Sequence, residues 1–323
     1  MKTIVQTSRR LFVCLFLISI YFVSSTATAS LYESLAPKKV TFGSRAMTYV
    51  DVGEGTPIIF IHGWSSHKGY WKEQIEAFSD TNRVIAYEWR GMGDSNGGEE
   101  PYEFSELIED LRLFIDSLNL KQKPILVGHS LGGLQVMHFA SMYPDVPAAI
   151  ISVDAPGRDN LVTGRVMYWA MSATYALTSF LSDYNANSLQ VPFNRFFFYS
   201  SEFIENNESF IDSWEEQFKS NSVDSLINAF RAMTFRIRTE KPVNGVPALF
   251  VMGSEDRFIS QKQTEDYGSL FPGSQFEIIS GAGHMSSEEQ PDYFNQLIHS
   301  FIGKALSNQA TNKLVRVVDV SEE

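Results

Sequence analysis

Ser130 lies two residues after Gly128 and two residues before Gly132, a spacing that could make its hydroxyl a nucleophile. The apolar run 124–127 before it predicts a buried strand, and residues 133–140 after it predict a helix. A strand that turns sharply into a helix projects the central side chain alone, and only small residues at 128 and 132 let the two backbones approach. The pattern by itself is common, but this strand and helix favour a nucleophile.

A serine hydroxyl is a poor nucleophile until a base removes its proton, and that base is usually a histidine oriented by a carboxylate. The chain has six histidines. Only His284 is predicted in a flexible loop, 281–284, directly after the last predicted strand. It is therefore the candidate base. The remaining histidines are expected in a neighbouring motif, in helices, or on the strand-to-helix turn around Ser130, which we call the elbow. They are His62, His67, His129, His138 and His299.

The orienting carboxylate should also follow a strand. Asp256 comes directly after the predicted strand 249–252 and is the favoured acid. Its neighbour Glu255 could be confused with it, although that side chain should point the other way. Asp154, at the end of a predicted strand over 150–153, is the alternative acid, or it caps the turn that follows.

An acyl-transfer site must also stabilise an oxyanion, usually with two backbone N–H groups. Leu131 supplies one N–H at the start of the predicted helix, where the helix dipole favours negative charge. Trp64 is expected to supply the second, because the turn 62–64 follows a predicted strand over 58–61. Gly63 lets the backbone turn there.

The remaining pattern alternates apolar strands with helices. Such alternation predicts an α/β fold with a mostly parallel sheet covered by helices on both faces, and places the site at the carboxyl ends of the strands. Strands are predicted over 47–53, 57–61, 83–87, 124–127, 148–153, 247–252 and 275–279, and helices over 71–78, 104–118 and 292–302.

Residues 158–241 break this alternation. They show no convincing strand, many aromatic residues, and helical stretches such as 213–219 and 223–233. Their position between two sheet strands predicts a helical cap that excludes water and shapes an apolar pocket. The predicted organisation is a leader over 1–29, core over 30–157, cap over 158–241, core over 242–304 and a loosely held tail over 305–323.

The first 29 residues resemble a secretory signal peptide. Lys2, Arg9 and Arg10 precede an apolar run over 11–23, and an Ala-x-Ala sequence ends at Ala29. The run is shorter than the roughly 20 residues needed to span a bilayer, so a cleaved leader is favoured over an uncleaved membrane anchor. The chain is therefore expected to be periplasmic or secreted.

Composition excludes several classes of protein. With 323 residues, 44% of them hydrophobic, the chain can form a large core. A net charge of −12 argues against a nucleic-acid or anionic-membrane partner. Cys14 is the only cysteine and lies in the leader, so the mature chain is expected to have no disulfide. No metal-binding motif or phosphate-binding glycine loop is found, and we expect no metal or cofactor.

These motifs, in this order, resemble those of the α/β-hydrolase fold superfamily, in particular its capped serine hydrolases. The resemblance covers about residues 40–303, and the order Ser, Asp, His is that of the family. One departure is Glu88, where relatives often carry aspartate; we interpret that position as structural. The residues that carry the resemblance are 62–64, 90–95, 128–133, Asp256, 281–284, Glu289 and Pro291.

The resemblance implies a two-step hydrolysis in which Ser130, His284 and Asp256 form the triad. The expected substrate is a small-molecule, apolar carboxylic ester or lactone. Haloalkane dehalogenases and epoxide hydrolases of this fold use an aspartate at the elbow, so Ser130 argues against both. Carbon–carbon bond hydrolases, aminopeptidases and cofactor-free haloperoxidases remain open, as does a non-catalytic protein that binds an apolar ligand.

Overall fold

The computed structural model describes residues 30–157, 169–170, 172–173, 186–234 and 241–318, with side chains as far as residue 307. The chain divides into two compact units, 1–34 and 35–323. Within the first unit, a single helical turn, α1, spans Leu31–Ser34. The predicted signal peptide, most of 158–185 and all of 235–240 lie outside the described residues.

The second unit is built on one sheet of eight strands among its described residues, ordered β1-β2-β4-β3-β5-β6-β7-β8. β1 and β2 pair antiparallel, as do β2 and β4, and every other neighbouring pair is parallel. The strands are β1 Lys38–Phe42, β2 Arg45–Val52, β3 Thr56–Ile61, β4 Asn82–Tyr87, β5 Ile125–His129, β6 Ala149–Val153, β7 Ala248–Gly253 and β8 Gln275–Ile279. The mostly parallel sheet predicted from the sequence is confirmed.

The central strands form where the sequence is continuously apolar. Every residue of β5, β6 and β7 is buried, as expected for strands covered on both faces. β1 was not predicted, because it begins with the exposed Lys38 and Lys39 and has little apolar pattern. It lies at the edge of the sheet, where charged residues discourage pairing with another chain.

The helices predicted over 71–78, 104–118 and 133–140 are present, the helices over Gln261–Gly268 and Ser286–Glu289 were not predicted, and one prediction is corrected. The last predicted helix, over 292–302, instead extends to residue 318, so most of the predicted tail is helical. After Gly303 this segment contains no glycine or proline that would end a helix. The core helices are α2 Lys72–Phe78, preceded by a 3₁₀ turn over Lys68–Trp71, then α3 Phe104–Ser117, α4 Leu131–Met142, α9 Gln261–Gly268, α10 Ser286–Glu289 and α11 Pro291–Val318.

The insertion between β6 and β7 is helical throughout its described part over 186–234. It contains a 3₁₀ turn over Ala186–Leu189 and the helices α5 Val191–Phe198, α6 Ser201–Asn206, α7 Glu208–Lys219 and α8 Val223–Thr234. The two helices predicted here are therefore α7 and α8, and the limits 158 and 241 of the cap stay predictions. Within the described part of the chain, no helix combines the length and apolar character needed to cross a bilayer.

Candidate active site

The sheet brings the predicted site residues to one edge. The parallel strands β3, β5, β6, β7 and β8 all end there, and each is followed by a loop that carries one of these residues. In chain order the loops carry Trp64, Ser130, Asp154, Asp256 and His284.

Ser130 forms the turn between β5 and α4. Its φ of 50° and ψ of −113° lie outside the backbone regions that non-glycine residues favour. Its N–H donates to the Val153 carbonyl at 2.7 Å. The turn requires glycine on both sides, because a β-carbon on Gly128 would overlap Gly132, and one on Gly132 would overlap Ile61. The sequence pattern therefore has the steric cause that was predicted for it.

His284 joins the hydroxyl to a carboxylate. Its Nε2 lies 3.0 Å from Ser130 Oγ, and its Nδ1 lies 2.8 Å from Asp256 Oδ2. The imidazole is 2% exposed and the Asp256 side chain is fully buried, so water competes little for these hydrogen bonds. Three side chains far apart in the sequence thus form one hydrogen-bonded relay.

Asp256 is itself held in place. Its Oδ1 accepts from the N–H groups of Phe258 at 2.7 Å and Ile259 at 2.8 Å, which leaves Oδ2 to face His284. Burial lowers the pKa of His284, but the charge of Asp256 and its hydrogen bond outweigh burial and raise the pKa above its ordinary value. The neighbouring Glu255 is exposed, as expected.

The alternative acid, Asp154, lies close by but bonds to other groups. Its Oδ1 accepts from Gly253 N–H at 2.8 Å, and its Oδ2 accepts from Ser286 N–H at 3.2 Å and Ser286 Oγ at 2.6 Å. Burial, with the nearby charge of Asp256, raises the pKa of Asp154 to about 8. Both ring nitrogens of His284 are occupied by other partners, so Asp154 fastens the loops together instead.

The turn after β3 passes beside Ser130, where an oxyanion would form. A β-carbon on Gly63 would lie 2.7 Å from His129 Nδ1 and 3.1 Å from Ser130 Cβ, so a side chain there would force neighbouring atoms to shift. His62 fixes the turn by donating from Nδ1 to the Gly63 carbonyl at 2.8 Å. The backbone N–H groups of Trp64 and Leu131 have no acceptor among the described residues, which leaves both available to a ligand.

Aromatic side chains surround the imidazole. The ring centroids of Phe198 and Phe258 lie 5.5 Å and 5.2 Å from that of His284. Phe198 ends cap helix α5, and Phe258 follows Asp256 by two residues. The imidazole of His284 is therefore flanked by two aromatic rings, and one of them comes from the cap.

The cap is bonded to the turn over residues 62–65, which we call the oxyanion turn after the role predicted for it from the sequence. Trp64 Nε1 donates to the Leu226 carbonyl in α8 at 2.8 Å. Gln217 and Asn221, at the end of α7, both donate from their side-chain amides to the Ser65 carbonyl at 3.1 Å. The indole of Trp64 also contacts Phe218 and Phe230 edge-on, with centroids 5.8 Å and 5.6 Å apart. Side chains of the cap therefore fix the orientation of this turn.

The cap is also bonded to the loops of His284 and Asp256. Phe198 O accepts from Met285 N–H at 3.1 Å, and Glu289 accepts from Ser200 N–H at 3.1 Å and from Gly283 N–H at 3.0 Å. The Arg257 guanidinium donates to the carbonyls of Phe196 at 2.7 Å and Tyr199 at 3.1 Å, at the end of α5. It also lies over the Phe196 ring, 4.7 Å from the ring centroid.

Sequence reasoning did not identify these contacts of Phe198 and Arg257, because they join segments far apart in the chain. Glu289 belonged to the motif set without a role, and the structure gives it one: its carboxylate joins the loop of His284 to the cap. Its pKa is raised by burial. For Arg257, the one available signal was its position directly after the predicted acid.

Glu88, the departure from the family pattern, organises a loop away from Ser130. The buried carboxylate accepts from Lys68 Nζ at 2.9 Å and from Asp94 N–H at 2.8 Å. A β-carbon on Gly93 would overlap this carboxylate, which explains the glycine in the loop. The contacts of Glu88 agree with its interpretation as structural.

Among the described residues, no group of three or more histidine, cysteine, aspartate or glutamate side chains could hold a metal ion.

Comparison with known proteins places these features in a family. The family model described as alpha/beta hydrolase fold matches residues 56–291. The chain is 26% identical over 266 residues to the AB hydrolase superfamily protein YfhM of Bacillus subtilis, covering 77% of this chain and 91% of that protein. It is 26% identical over 276 residues to Epoxide hydrolase 1 of Caenorhabditis elegans, and this match covers 79% of this chain and 67% of that protein. A solved structure of an esterase from Thermogutta terrifontis superposes with a TM-score of 0.75 at 23% identity, covering 84% of this chain and 99% of that one.

Proposed function

Since the chain belongs to the alpha/beta hydrolase fold family, we propose that it is a serine hydrolase that cleaves small to medium apolar carboxylic esters or lactones through an acyl-enzyme. The observation that carries the proposal is the relay from Ser130 Oγ through His284 to Asp256, with hydrogen bonds of 3.0 Å and 2.8 Å. A hydroxyl, an imidazole and a carboxylate in this order are what acyl transfer requires.

In the first step, Ser130 Oγ attacks the ester carbonyl carbon while His284 Nε2 accepts the hydroxyl proton. The carbonyl oxygen becomes an oxyanion, and the N–H groups of Trp64 and Leu131 donate hydrogen bonds to it. Asp256 stabilises the imidazolium through Nδ1–H without taking the proton. The intermediate collapses as His284 protonates the leaving alcohol, and the acyl group stays on Ser130.

In the second step, water replaces the alcohol. His284 accepts a proton from the water, and the resulting hydroxide attacks the acyl carbonyl. The second tetrahedral intermediate then expels Ser130 Oγ, which regains its proton from His284, and the carboxylic acid leaves. Phe198 and Phe258 beside His284 give the leaving group an apolar environment, which supports an apolar substrate.

Epoxide opening is the main competing reaction, because three curated relatives are named epoxide hydrolases. Members of this fold that open epoxides attack with a carboxylate at the elbow, and here the elbow carries Ser130. The carboxylates of Asp154 and Asp256 accept hydrogen bonds from backbone N–H groups and do not take the elbow position. Ester hydrolysis therefore fits these residues better than epoxide opening.

A substrate panel tests the proposed class. We expect kcat/KM to be highest on p-nitrophenyl acetate, butyrate or a simple lactone, and at least about tenfold lower on the matching anilide. An amide carbonyl is less electrophilic than an ester carbonyl, and its nitrogen must be protonated before it can leave. Initial rates would be measured on esters, a lactone, an anilide and styrene oxide under one set of conditions. Turnover of the epoxide or the anilide with none of the esters or the lactone would contradict the proposal.

The pH dependence follows from the raised pKa of His284. Only the neutral imidazole accepts a proton, so we expect kcat/KM on p-nitrophenyl butyrate to fall as the pH drops through a midpoint above about 6.5, the ordinary histidine value. Asp256→Asn removes the charge that raises this pKa and should move the midpoint to lower pH. Profiles of both proteins would be compared; equal midpoints would contradict the proposed role of the carboxylate.

We also propose that the chain is exported, on the evidence of the charged start, apolar run and Ala-x-Ala sequence within residues 1–29. Cleavage after Ala29 would leave a mature chain that begins at Ser30. Expression of the full chain in a host with a secretory pathway, followed by mass spectrometry of the N-terminal peptide, tests this. A product that retains residues 1–29 would contradict cleavage.

A further inference from the structure

His129 precedes Ser130 in the chain, and its side chain contacts the loop of the catalytic base. The imidazole is 2% exposed, and its Nε2 lies 2.8 Å from the backbone oxygen of His284. A carbonyl oxygen only accepts, so His129 Nε2 carries the proton and donates it. The centroids of the two imidazole rings lie 5.1 Å apart.

Two successive residues of the elbow thus hold one histidine at two points. Ser130 Oγ bonds the ring of His284, and His129 bonds its backbone carbonyl. The bonds of the ring to Ser130 Oγ and Asp256 Oδ2 orient the imidazole, and the bond from His129 adds a link from the elbow to the backbone of the same residue. This link helps to fix the distance between the hydroxyl and the base. The proposed chemistry depends on this distance, and a displacement of about 1 Å can lower a rate about 100-fold.

The surroundings of His129 hold its ring in one position. Its ring stacks on that of Tyr70, with centroids 4.6 Å apart and an angle of 25° between the planes. Its Nδ1 faces the oxyanion turn, because a β-carbon on Gly63 would lie 2.7 Å from that atom. Tyr70 in turn hydrogen-bonds Ser287 at 2.7 Å, three residues after His284.

The electrostatics keep His129 neutral. Burial, with the nearby His284, holds the pKa of His129 well below its ordinary value. Nδ1 has no hydrogen-bond partner among the described residues, which agrees with an unprotonated nitrogen at that position. A neutral imidazole with its proton on Nε2 donates this hydrogen bond, and the carboxylate of Asp154, whose Oδ2 lies 4.0 Å from the same nitrogen, faces that proton.

We propose that His129 is a positioning residue that sets the spacing between Ser130 and His284 by donating a hydrogen bond to the His284 carbonyl. The inference rests on the proposed function, since it concerns how the proposed base meets the proposed nucleophile. No proton transfer is assigned to His129, because its hydrogen bond goes to the backbone oxygen of His284 and not to Ser130 Oγ or the His284 ring.

Two substitutions separate the hydrogen bond from the packing. His129→Gln keeps an N–H donor at about the position of Nε2 but loses the ring, whereas His129→Phe keeps the ring on Tyr70 but loses the donor. His129→Leu is a second donor-free variant in case the phenylalanine variant does not fold. The rate at which a fluorophosphonate modifies Ser130 is measured for each, because this reaction needs the Ser130–His284 pair but no particular ester.

We expect His129→Phe and His129→Leu to react about 10- to 100-fold more slowly than wild type. In both, kcat on p-nitrophenyl butyrate per titrated site should fall by a similar factor while KM stays within about twofold. His129→Gln should recover most of the rate, although it loses the stack and unfolds at a lower temperature. Lower thermal stability with an unchanged rate per titrated site would indicate a merely structural role and overturn the inference.

The outcomes distinguish this inference from the proposed function. If wild type is modified at Ser130 and the donor-free variants react at the same rate per site, the inference fails and the proposed function stands. Loss of rate in His129→Gln as large as in His129→Phe would also overturn it, because the donor would then have no effect. If wild type is not modified at Ser130, both fail together.

Discussion

Ser130→Ala is expected to lower kcat on p-nitrophenyl butyrate by about 10⁶, with little change in thermal stability. The expected loss is that large because Ser130 Oγ forms the covalent bond to the acyl group, and the other two residues of the relay have nothing to activate without it. The residual rate should come from ester binding and the oxyanion-binding N–H groups alone. Initial rates at matched protein concentration, with thermal melting to confirm folding, would measure it.

Ser269→Ala is the matched control. Ser269 is an exposed serine at the end of α9, and within the described part of the chain its hydroxyl bonds only the nearby carbonyl of Asp266, at 2.7 Å. Its loss should leave kcat within about twofold of wild type. A Ser130→Ala protein that retains more than a tenth of the wild-type rate would show that the reaction does not pass through this hydroxyl.

Asp256→Asn is expected to lower kcat by about 10⁴. Asp256 Oδ2 accepts from His284 Nδ1–H, which leaves Nε2 unprotonated and facing Ser130 Oγ. An asparagine can present its NH₂ group to Nδ1 and thereby stabilise the tautomer that carries its proton on Nε2, where it cannot accept another. Single-turnover kinetics on p-nitrophenyl butyrate would measure the acylation rate directly.

Asp154→Asn is the control for this substitution, since Asp154 was the alternative acid. Asp154 bonds Gly253 and Ser286, so its replacement should lower thermal stability and cost at least about 100-fold less activity than Asp256→Asn. The reverse ranking, with Asp154→Asn the more damaging to kcat at equal folded fraction, would reassign the acid to the loop after β6.

The sequence predicted the elements that depend on local patterns. The buried strands β3, β5, β6 and β7 are runs of apolar residues, and the elbow at Ser130 needs glycine within two residues on either side. Loops after successive parallel strands must meet at one edge, which is why Asp256 and His284 could be placed beside Ser130 without coordinates.

Contacts between distant segments were not predictable in the same way. Both Asp154 and Asp256 follow a strand, and the hydrogen bonds of the folded chain are what separate the residue that bonds His284 from the one that bonds Ser286. His129 was expected on the elbow, but its bond to the His284 carbonyl spans 155 residues and was not predicted. No local pattern encodes such a pair.

The cap illustrates the same limit. Its helices α7 and α8 were predicted from their patterns, yet the hydrogen bonds of Asn221 and Leu226 to the oxyanion turn depend on how the helices pack on the core. The extension of α11 past residue 302 was missed for a different reason, because the polar residues there gave no amphipathic pattern.

The central claim is that the hydroxyl of Ser130 is a nucleophile activated by His284. The most direct measurement is reaction of the folded protein with a fluorophosphonate, followed by peptide mass spectrometry, for wild type and His284→Ala side by side. We expect one modified residue, Ser130, in wild type and a rate at least about 10³-fold lower in the variant. Modification of a different serine, or of Ser130 at an equal rate in both proteins, would contradict the claim.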